Sequence, residues 1–303
     1  MNRGLHRLSK LTDAEKKILY RFMAFSDSFS VDWFVGRGNI LPSRLFSVVN
    51  FLLQHRWIKR KAAFEGFYEW TSNLPRHELL KSIPTSEMSP YYREAVDIYA
   101  KRHPQDNETI LRIANLCLLA GIEAKDVELV YQAACIEEKQ HKISSAIKLY
   151  DQLLEYLESL IVHLPDARAE NIYAMFIRTV ERRASLSPFY PNLKKIYPDL
   201  SIAVDIAHHT GDVQTQASLE LLIGQNYWMS FQYDKATSHF KEAWNLIKKT
   251  KNNDLVRRGF QSQGLSFWLQ GNFSKAIKCY EKSIGMIDSL TADDFSMLRF
   301  KFL

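Results

Sequence analysis

The sequence predicts a mainly α-helical fold, in which a small N-terminal domain with a β-hairpin precedes a longer region of stacked helical hairpins. Apolar residues recur at helical spacing through most of the chain, and strand-like alternation is confined to residues 57–70. One amphipathic stretch also occurs twice, with the second copy 40 residues after the first. The 11 Gly and 9 Pro among 303 residues are too few for a turn-rich all-β protein.

Three short helices are predicted at the start of the chain. Thr12 and Glu15 have the spacing of a capping box, which marks the start of the first helix. Ser30 is the expected N-cap of a second, shorter helix, and Pro42 suits the first turn of a third. The inner face of the third helix is expected to hold its large apolar side chains, Leu45, Phe46, Val49, Leu52 and Leu53.

Two strands are predicted next, at residues 57–61 and 67–70, with Glu65 and Gly66 in the connection between them. Three helices followed by a hairpin is the layout of a winged helix, which we assign to residues 1–75. Residues 76–120 are then expected to form connecting helices, and residues 121–303 to form helical hairpins.

About nine helices are predicted from Glu108 onward, joined by short turns. One hairpin would pair a helix near residues 172–183 with one near 193–208, and the break at residues 187–191 lengthens its turn. A further helix is expected from residue 293, so the array holds about four hairpins, of which the last is cut short by the end of the sequence.

Small and aromatic residues alternate in the same way in both copies of the repeated stretch, when Gly224 is aligned with Gly264. The pattern resembles the tetratricopeptide repeat, in which two helices approach closely where their side chains are small. A weaker copy upstream keeps Ala134, Ala146 and Tyr150 at the same spacing. The repeat-signature residues are Gly224, Tyr227, Ala236, Phe240, Ala243, Gly264, Phe267, Ala276 and Tyr280. We expect the small residues of this set to mark the helix crossing and the aromatic ones to fill the gaps between hairpins.

The order of winged helix, connecting helices and long repeats resembles one family, the signal-transduction ATPases with numerous domains (STAND), which include maltose-activator-like transcription regulators. The segments LTDAEKKILYRFMAFSDSFSVDWF and VVNFLLQHRWIKRK look like the winged helix of that family. The segments AVDIYAKRH and AIKLYDQLLEYL are similar to the helices that lead into its sensor repeats. The resemblance implies a bacterial regulator whose repeats bind a ligand or protein and restrain an ATPase domain. No GxxxxGK[ST] phosphate loop occurs in this sequence, so the ATPase would be a partner.

Excess positive charge is confined to the first 75 residues, which carry 12 Lys/Arg against 6 Asp/Glu, whereas the remainder carries 28 of each. A basic wing could contact DNA phosphates, and the third helix could enter the major groove. We expect this less than a solvated basic edge or a dock for another domain, because the helix offers few residues that read bases. The candidate nucleic-acid or docking contacts are Arg44, Asn50, Gln54, Arg56, Lys59, Arg60 and Lys61.

Polar residues on the first helix of each repeated hairpin are candidates for contacts in a binding groove. Stacked hairpins present a concave surface formed by their first helices. The alternative is that these residues are ordinary solvated positions. The candidates are Gln225, Asn226, Ser230, Gln263, Ser266 and Gln270.

We identify no catalytic, cofactor-binding or metal site. His208 and His209 are adjacent and therefore diverge on a helix, and no serine or cysteine has a nucleophile motif. Three scattered cysteines and the absence of a signal peptide or apolar span suggest a cytoplasmic protein that binds no membrane. The leading hypothesis is a non-enzymatic scaffold or sensor segment that binds a protein or peptide through its repeats. The alternative is a DNA-binding regulator whose repeats sense a ligand or mediate self-association.

Overall fold

A computed structural model describes residues 11–37, 40–61, 66–71, 73–102, 106–162, 170–186 and 196–286, with the side chains of residues 73–75 and 102 excepted. The predicted break at residues 187–191 and the predicted helix from residue 293 lie outside this range. The chain divides into two compact units, Met1–Lys139 and Gln140–Leu303. No helix in the described ranges is long and apolar enough to span a bilayer.

The first unit begins with helices and strands in alternation. Its elements are α1 (Asp13–Met23), β1 (Ser28–Ser30), a 3-10 helix (Val31–Trp33), α2 (Pro42–Gln54), β2 (Ile58–Arg60), β3 (Phe67–Trp70), α3 (Asn73–Ser82), α4 (Thr85–Arg102), α5 (Asn107–Ala120), a 3-10 helix (Ala124–Asp126) and α6 (Val127–Lys139). The strands form one antiparallel sheet in the order β1-β3-β2.

The predicted capping box at the start of α1 is confirmed. Glu15 N–H donates to Thr12 Oγ1 at 3.3 Å, and Thr12 N–H donates to Glu15 Oε2 at 2.9 Å. These bonds to the ionised carboxylate lower the pKa of Glu15. Ser30 also acts as an N-cap, because its hydroxyl accepts from Asp32 N–H, but the helix that it caps is a single 3-10 turn.

Two expectations for the N-terminal domain are wrong. Strand β1 was not predicted, because three residues with the sequence SFS are too short for a period-two pattern; it pairs Phe29 with Tyr68 of β3. Phe46 is 52% exposed instead of buried. The buried stripe of α2 runs through Leu45, Val48, Val49 and Leu52, and Phe46 points away from it on the next helical position.

Aromatic side chains form the core of the N-terminal domain. Phe22 stacks on Phe29 with ring centroids 4.4 Å apart, and Phe34 meets the edge of Phe22 at 5.2 Å. Trp70 at the end of β3 donates its indole N–H to Phe25 O at 3.0 Å. These contacts hold the sheet against α1 and the residues that follow it, and β2 packs beside α2.

The second unit consists of helices alone in its described part: α7 (Ile143–Ile161), α8 (Glu170–Ser185), α9 (Ile196–His209), α10 (Val213–Met229), α11 (Tyr233–Ile247), α12 (Asn253–Leu269) and α13 (Phe273–Gly285). Each helix packs on the next one along the chain from α7 to α13. The predicted pairing of α8 with α9 is confirmed, as are the two repeated hairpins, α10–α11 and α12–α13.

Glycine marks the close crossing in both repeated hairpins, as predicted. A Cβ added at Gly224 would lie 2.5 Å from ring atoms of Phe240 and 3.3 Å from Ala236 O. At Gly264 the added atom would lie 2.6 Å from the Tyr280 ring. Around the first crossing a continuous core forms from Ala217, Leu221, Ala236, Phe240, Ala243, Leu246, Ile247 and Leu255.

The two hairpins also share one turn geometry. Gln232 N–H donates to Tyr227 O, and Asn272 N–H donates to Phe267 O, both at 2.9 Å. Phe231 and Gly271 donate to the carbonyls of Trp228 and Trp268, both at 3.0 Å. This is the Schellman arrangement, and it places residues 231 and 271 in the left-handed region with φ of 60° and 72°.

Candidate functional site

Helices α10 and α12, the first helices of the repeated hairpins, meet along two neighbouring stripes of side chains. Arg258 Nη1 donates to Ser218 Oγ at 3.3 Å near one end of the contact, and the rings of Trp228 and Trp268 lie 5.9 Å apart near the other. Side chains at i, i+3, i+7 and i+10 follow one side of a helix, so both stripes run between these two contacts. We call this surface the hairpin face; it comprises Ser218, Gln225 and Trp228 of α10 and Arg258, Gln261, Leu265 and Trp268 of α12, while Leu221, at the remaining position of the α10 stripe, is buried in the hairpin core.

A chain of polar groups crosses one end of the hairpin face. Ser218 donates its hydroxyl hydrogen to Glu181 Oε1 of α8 at 2.9 Å and accepts from Arg258 of α12. The Nε of Arg258 is buried, and it has no hydrogen-bond partner in the described part of the chain. Desolvation lowers the pKa of Arg258, against the raising effect of Asp254 and Glu181. A cation is therefore enclosed here without a carboxylate in direct contact.

Aromatic side chains gather at the other end of the hairpin face. Trp268 is 50% exposed, and Trp228 also contacts the ring of Tyr233 at 5.1 Å. Phe231, in the turn between α10 and α11, lies 6.3 Å from Tyr233 and is 79% exposed. Large aromatic surfaces left in water on adjacent elements are typical of interaction sites.

Phe231 is also conformationally strained. It has the left-handed backbone that the equivalent turn gives to Gly271. A residue with a Cβ costs roughly 1–2 kcal/mol in this region. The chain thus keeps an exposed phenyl ring at a position where glycine would be more stable, and strained residues of this kind cluster at functional sites.

The predicted groove residues are only partly on this face. Gln225 lies on it and is half-buried. The expectation that Asn226 and Ser266 face solvent is wrong, because Asn226 is 1% exposed and Ser266 is buried. Their side chains bond to their own helices, Asn226 Nδ2 to Leu222 O at 2.8 Å and Ser266 Oγ to Ser262 O at 3.1 Å.

The other three predicted groove residues lie apart from the face. Ser230 donates back to carbonyls of its own helix end, Gln270 is an exposed C-cap of α12, and Gln263 is half-buried on a different side of α12 from Arg258 and Trp268. The 40-residue offset could have found the missed residues, because it pairs Ser218 with Arg258 and Trp228 with Trp268.

Of the aromatic repeat-signature residues, Tyr227 packs between hairpins as expected, whereas Phe240 and Tyr280 lie against Gly224 and Gly264 of their own hairpins. Tyr227 of α10 stacks on Tyr197 of α9 at 4.4 Å and on His239 of α11 at 5.3 Å. Lys235 covers the Tyr227 ring at 5.2 Å, and Lys275 covers Phe267 at 5.5 Å. Ala236, Ala243 and Ala276 are buried at the helix contacts.

The candidate nucleic-acid contacts occupy two elements of the first unit. Arg44, Asn50 and Gln54 lie exposed on α2. Arg56, Lys59 and Arg60 lie exposed just before and on β2, with Lys61 half-buried beside them. Lys59 is paired with Glu69 of β3 at 2.9 Å. Phe46 shares the outer side of α2, so this surface mixes cations with an exposed phenyl ring, and DNA contact stays a prediction.

The sequence matches no protein-family model and no curated protein. Solved structures with a similar fold include the apo form of RapI, at 12% identity over 97% of this chain and 79% of that one, with a TM-score of 0.48. MamA from Desulfovibrio magneticus RS-1 is 16% identical over 67% and 97% of the two chains, with a TM-score of 0.41. A STAND protein with a tetratricopeptide repeat sensor from Pyrococcus horikoshii is 14% identical over 92% and 51%, with a TM-score of 0.36. Scores below 0.5 at such identities assign this chain neither an activity nor a partner.

Proposed function

We propose that this chain is a non-enzymatic scaffold or sensor segment that binds a protein or peptide on its hairpin face. The observation that carries the proposal is the contact of half-exposed Trp268 with the more buried Trp228, at equivalent positions of two consecutive hairpins. Exposed tryptophans on rigid helices lose little conformational entropy on binding and are the residues that most often dominate interface energetics. The hairpin stack fixes their spacing, because the glycine crossings lock each pair of helices.

The resemblance to STAND regulators supports a more specific setting for this role. The helix, strand, helix and wing order of residues 11–71 fits a winged helix, and helical hairpins follow it. In that setting the chain would be a cytoplasmic sensor segment of a bacterial signalling or transcription regulator, working with an ATPase domain. Self-association through the repeats is compatible with the same exposed aromatic surface.

Selection from an unbiased displayed peptide library against the full chain tests the proposal. Selected peptides are expected to protect α10 and α12 from hydrogen–deuterium exchange, and Trp268→Ala is expected to weaken their binding at least about tenfold. Ile277→Ala is the matched control, because Ile277 is as exposed as Trp268 but lies on α13 away from the face. Peptides that bind equally well to wild type and Trp268→Ala would refute the assignment.

DNA binding by the first unit is the second candidate, favoured by the exposed cations at Arg56, Lys59 and Arg60. Binding to duplex DNA would depend steeply on salt, because each neutralised phosphate releases a counterion. The test is the affinity of the full chain for random-sequence duplex between about 50 and 200 mM salt, with Lys59→Gln/Arg60→Gln as the variant. A flat salt dependence excludes this role.

A further inference from the structure

Three other enclosed arginines each contact a carboxylate, whereas Arg258 does not within the described residues; a buried Nε without a hydrogen bond there is shared by Arg21 and Arg257. Arg21 pairs with Glu94 at 2.8 Å, Arg93 pairs with Asp126 at 2.7 Å, and Arg183 pairs with Asp151 at 2.5 Å. Arg258 reaches only the hydroxyl of Ser218, and its buried Nε has no partner in the described residues. The Arg258 side chain as a whole is half-buried, and a half-buried cation that contacts no carboxylate would be stabilised by an incoming one.

The two repeated hairpins carry a net positive charge, which favours an acidic ligand. Residues 211–286 contain 10 Lys/Arg against 6 Asp/Glu. Two carboxylates act on Arg258 without contacting its guanidinium: Asp254 pairs with Arg257, and Glu181 accepts from Ser218. Their charges oppose a further carboxylate at Arg258 without occupying the position that such a group would take.

The distance from Arg258 to the tryptophan pair sets how far apart the acidic and apolar groups of a ligand must be. Ten residues of α10 separate Ser218 from Trp228, which corresponds to about 15 Å along a helix at 1.5 Å per residue. An extended peptide advances roughly 3.3 Å per residue, so about four or five residues cover that distance. Half-buried Gln225, Gln261 and Leu265 line the interval between the two ends and carry no charge.

We propose that the hairpin face takes an extended peptide segment that places an acidic side chain at Arg258 and, four or five residues away, a large apolar side chain at Trp228 and Trp268. This inference rests on the proposed function and names the class of partner for the same face. Arg258 supplies the charge discrimination, and the tryptophan pair supplies most of the affinity.

Synthetic fluorescein-labelled peptides test it by anisotropy with the full chain. In each peptide one Phe and one Glu are separated within a Gly/Ser sequence, with Glu placed one, four, five or nine residues from Phe, and each has a Gln counterpart. The Glu peptides with offsets of four and five are expected to bind about tenfold tighter than their Gln counterparts and than the Glu peptides with other offsets. Arg258→Gln should abolish the Glu preference, whereas Lys278→Gln, an exposed cation on α13, should preserve it.

Glu181→Gln distinguishes a specific charge site from a folding defect. Gln retains an acceptor for Ser218 but removes one opposing charge, so it should strengthen binding of the Glu peptides several-fold and leave the Gln peptides unchanged. Equal binding of Glu and Gln peptides, no effect of offset, or a Glu preference that survives Arg258→Gln would overturn the inference alone. Failure of every peptide to bind would overturn the proposed function as well.

Discussion

Replacing Gly224 with alanine tests the helix crossing at the centre of the repeat region. The added Cβ would stand 2.5 Å from two ring atoms of Phe240 and 3.3 Å from the backbone oxygen of Ala236. Phe240 is fully buried in the hairpin core, so its ring cannot swing into solvent to relieve the clash. Overpacking of this kind costs about 1–3 kcal/mol, whereas alanine gains about 1 kcal/mol over glycine in helix propensity. The difference between the two terms means that Gly224→Ala should lower the free energy of unfolding by up to about 2 kcal/mol.

Two other glycines calibrate that measurement. A Cβ at Gly285 meets nothing within 4 Å, so Gly285→Ala should be neutral or slightly stabilising. At Gly264 the clash is with Tyr280, which is only half-buried and can shift, so Gly264→Ala should cost less than Gly224→Ala. Hydrogen–deuterium exchange of α10 and α11 along a urea titration reports on this unit, whereas tryptophan fluorescence would report on both units, because Trp33, Trp57 and Trp70 lie in the first. If Gly224→Ala proves as stable as Gly285→Ala, the steric account of the crossing is wrong.

Three further predictions concern single groups. Phe231→Gly should raise the free energy of unfolding by about 1 kcal/mol because it relieves the left-handed strain, while weakening peptide binding in the anisotropy assay; a destabilised variant would show that the ring contributes to packing. Burial raises the pKa of Asp199 from 3.8 to about 6 despite its contact with Arg183. Because the folded chain holds this proton more tightly than the unfolded chain, Asp199 adds to the free energy of unfolding below pH 4. That contribution, on the order of 3 kcal/mol, is lost as the pH rises to 6. Asp199→Asn should remove that pH dependence from urea unfolding curves, and an unchanged curve would contradict the assignment. Burial also raises the pKa of Cys117 to about 12, so an alkylating reagent at pH 8 should modify Cys117 only in denaturant, after half-buried Cys279 has reacted. Mass spectrometry gives the order of labelling, and early labelling of Cys117 would refute its enclosure.

The repeat could be predicted from the sequence because its small and aromatic positions follow from packing between helices that are consecutive in the chain. Gly224 and Ala236 are on consecutive helices, and two small residues at that spacing predict a close crossing; the Phe240 ring that lies against Gly224 was expected between hairpins instead. Strand β1 could not be predicted from the sequence, because it pairs with residues of β3 about 40 positions away. That pairing depends on how the aromatic core packs as a whole. The exposed position of Phe46 was missed for a related reason. A helix with apolar residues on two sides does not indicate by itself which side the neighbouring elements cover.

The hairpin face was the hardest part to predict, because binding and packing use the same residue types. Trp228 and Trp268 occupy equivalent positions, as do the packing residues Tyr227 and Phe267 beside them, so the repeat pattern cannot separate the two roles. The separation comes from the helical angle of about 100° between successive residues. That angle directs the two side chains to different neighbours, Tyr227 to Tyr197 of the preceding hairpin and Trp228 to Trp268 of the following one. A repeat therefore copies the packing positions and the binding positions together. A position that differs between the two copies is the better indicator of a binding role. Arg258 where the previous hairpin has Ser218 breaks the repetition without improving the packing, and so does Phe231 where the next hairpin has Gly271.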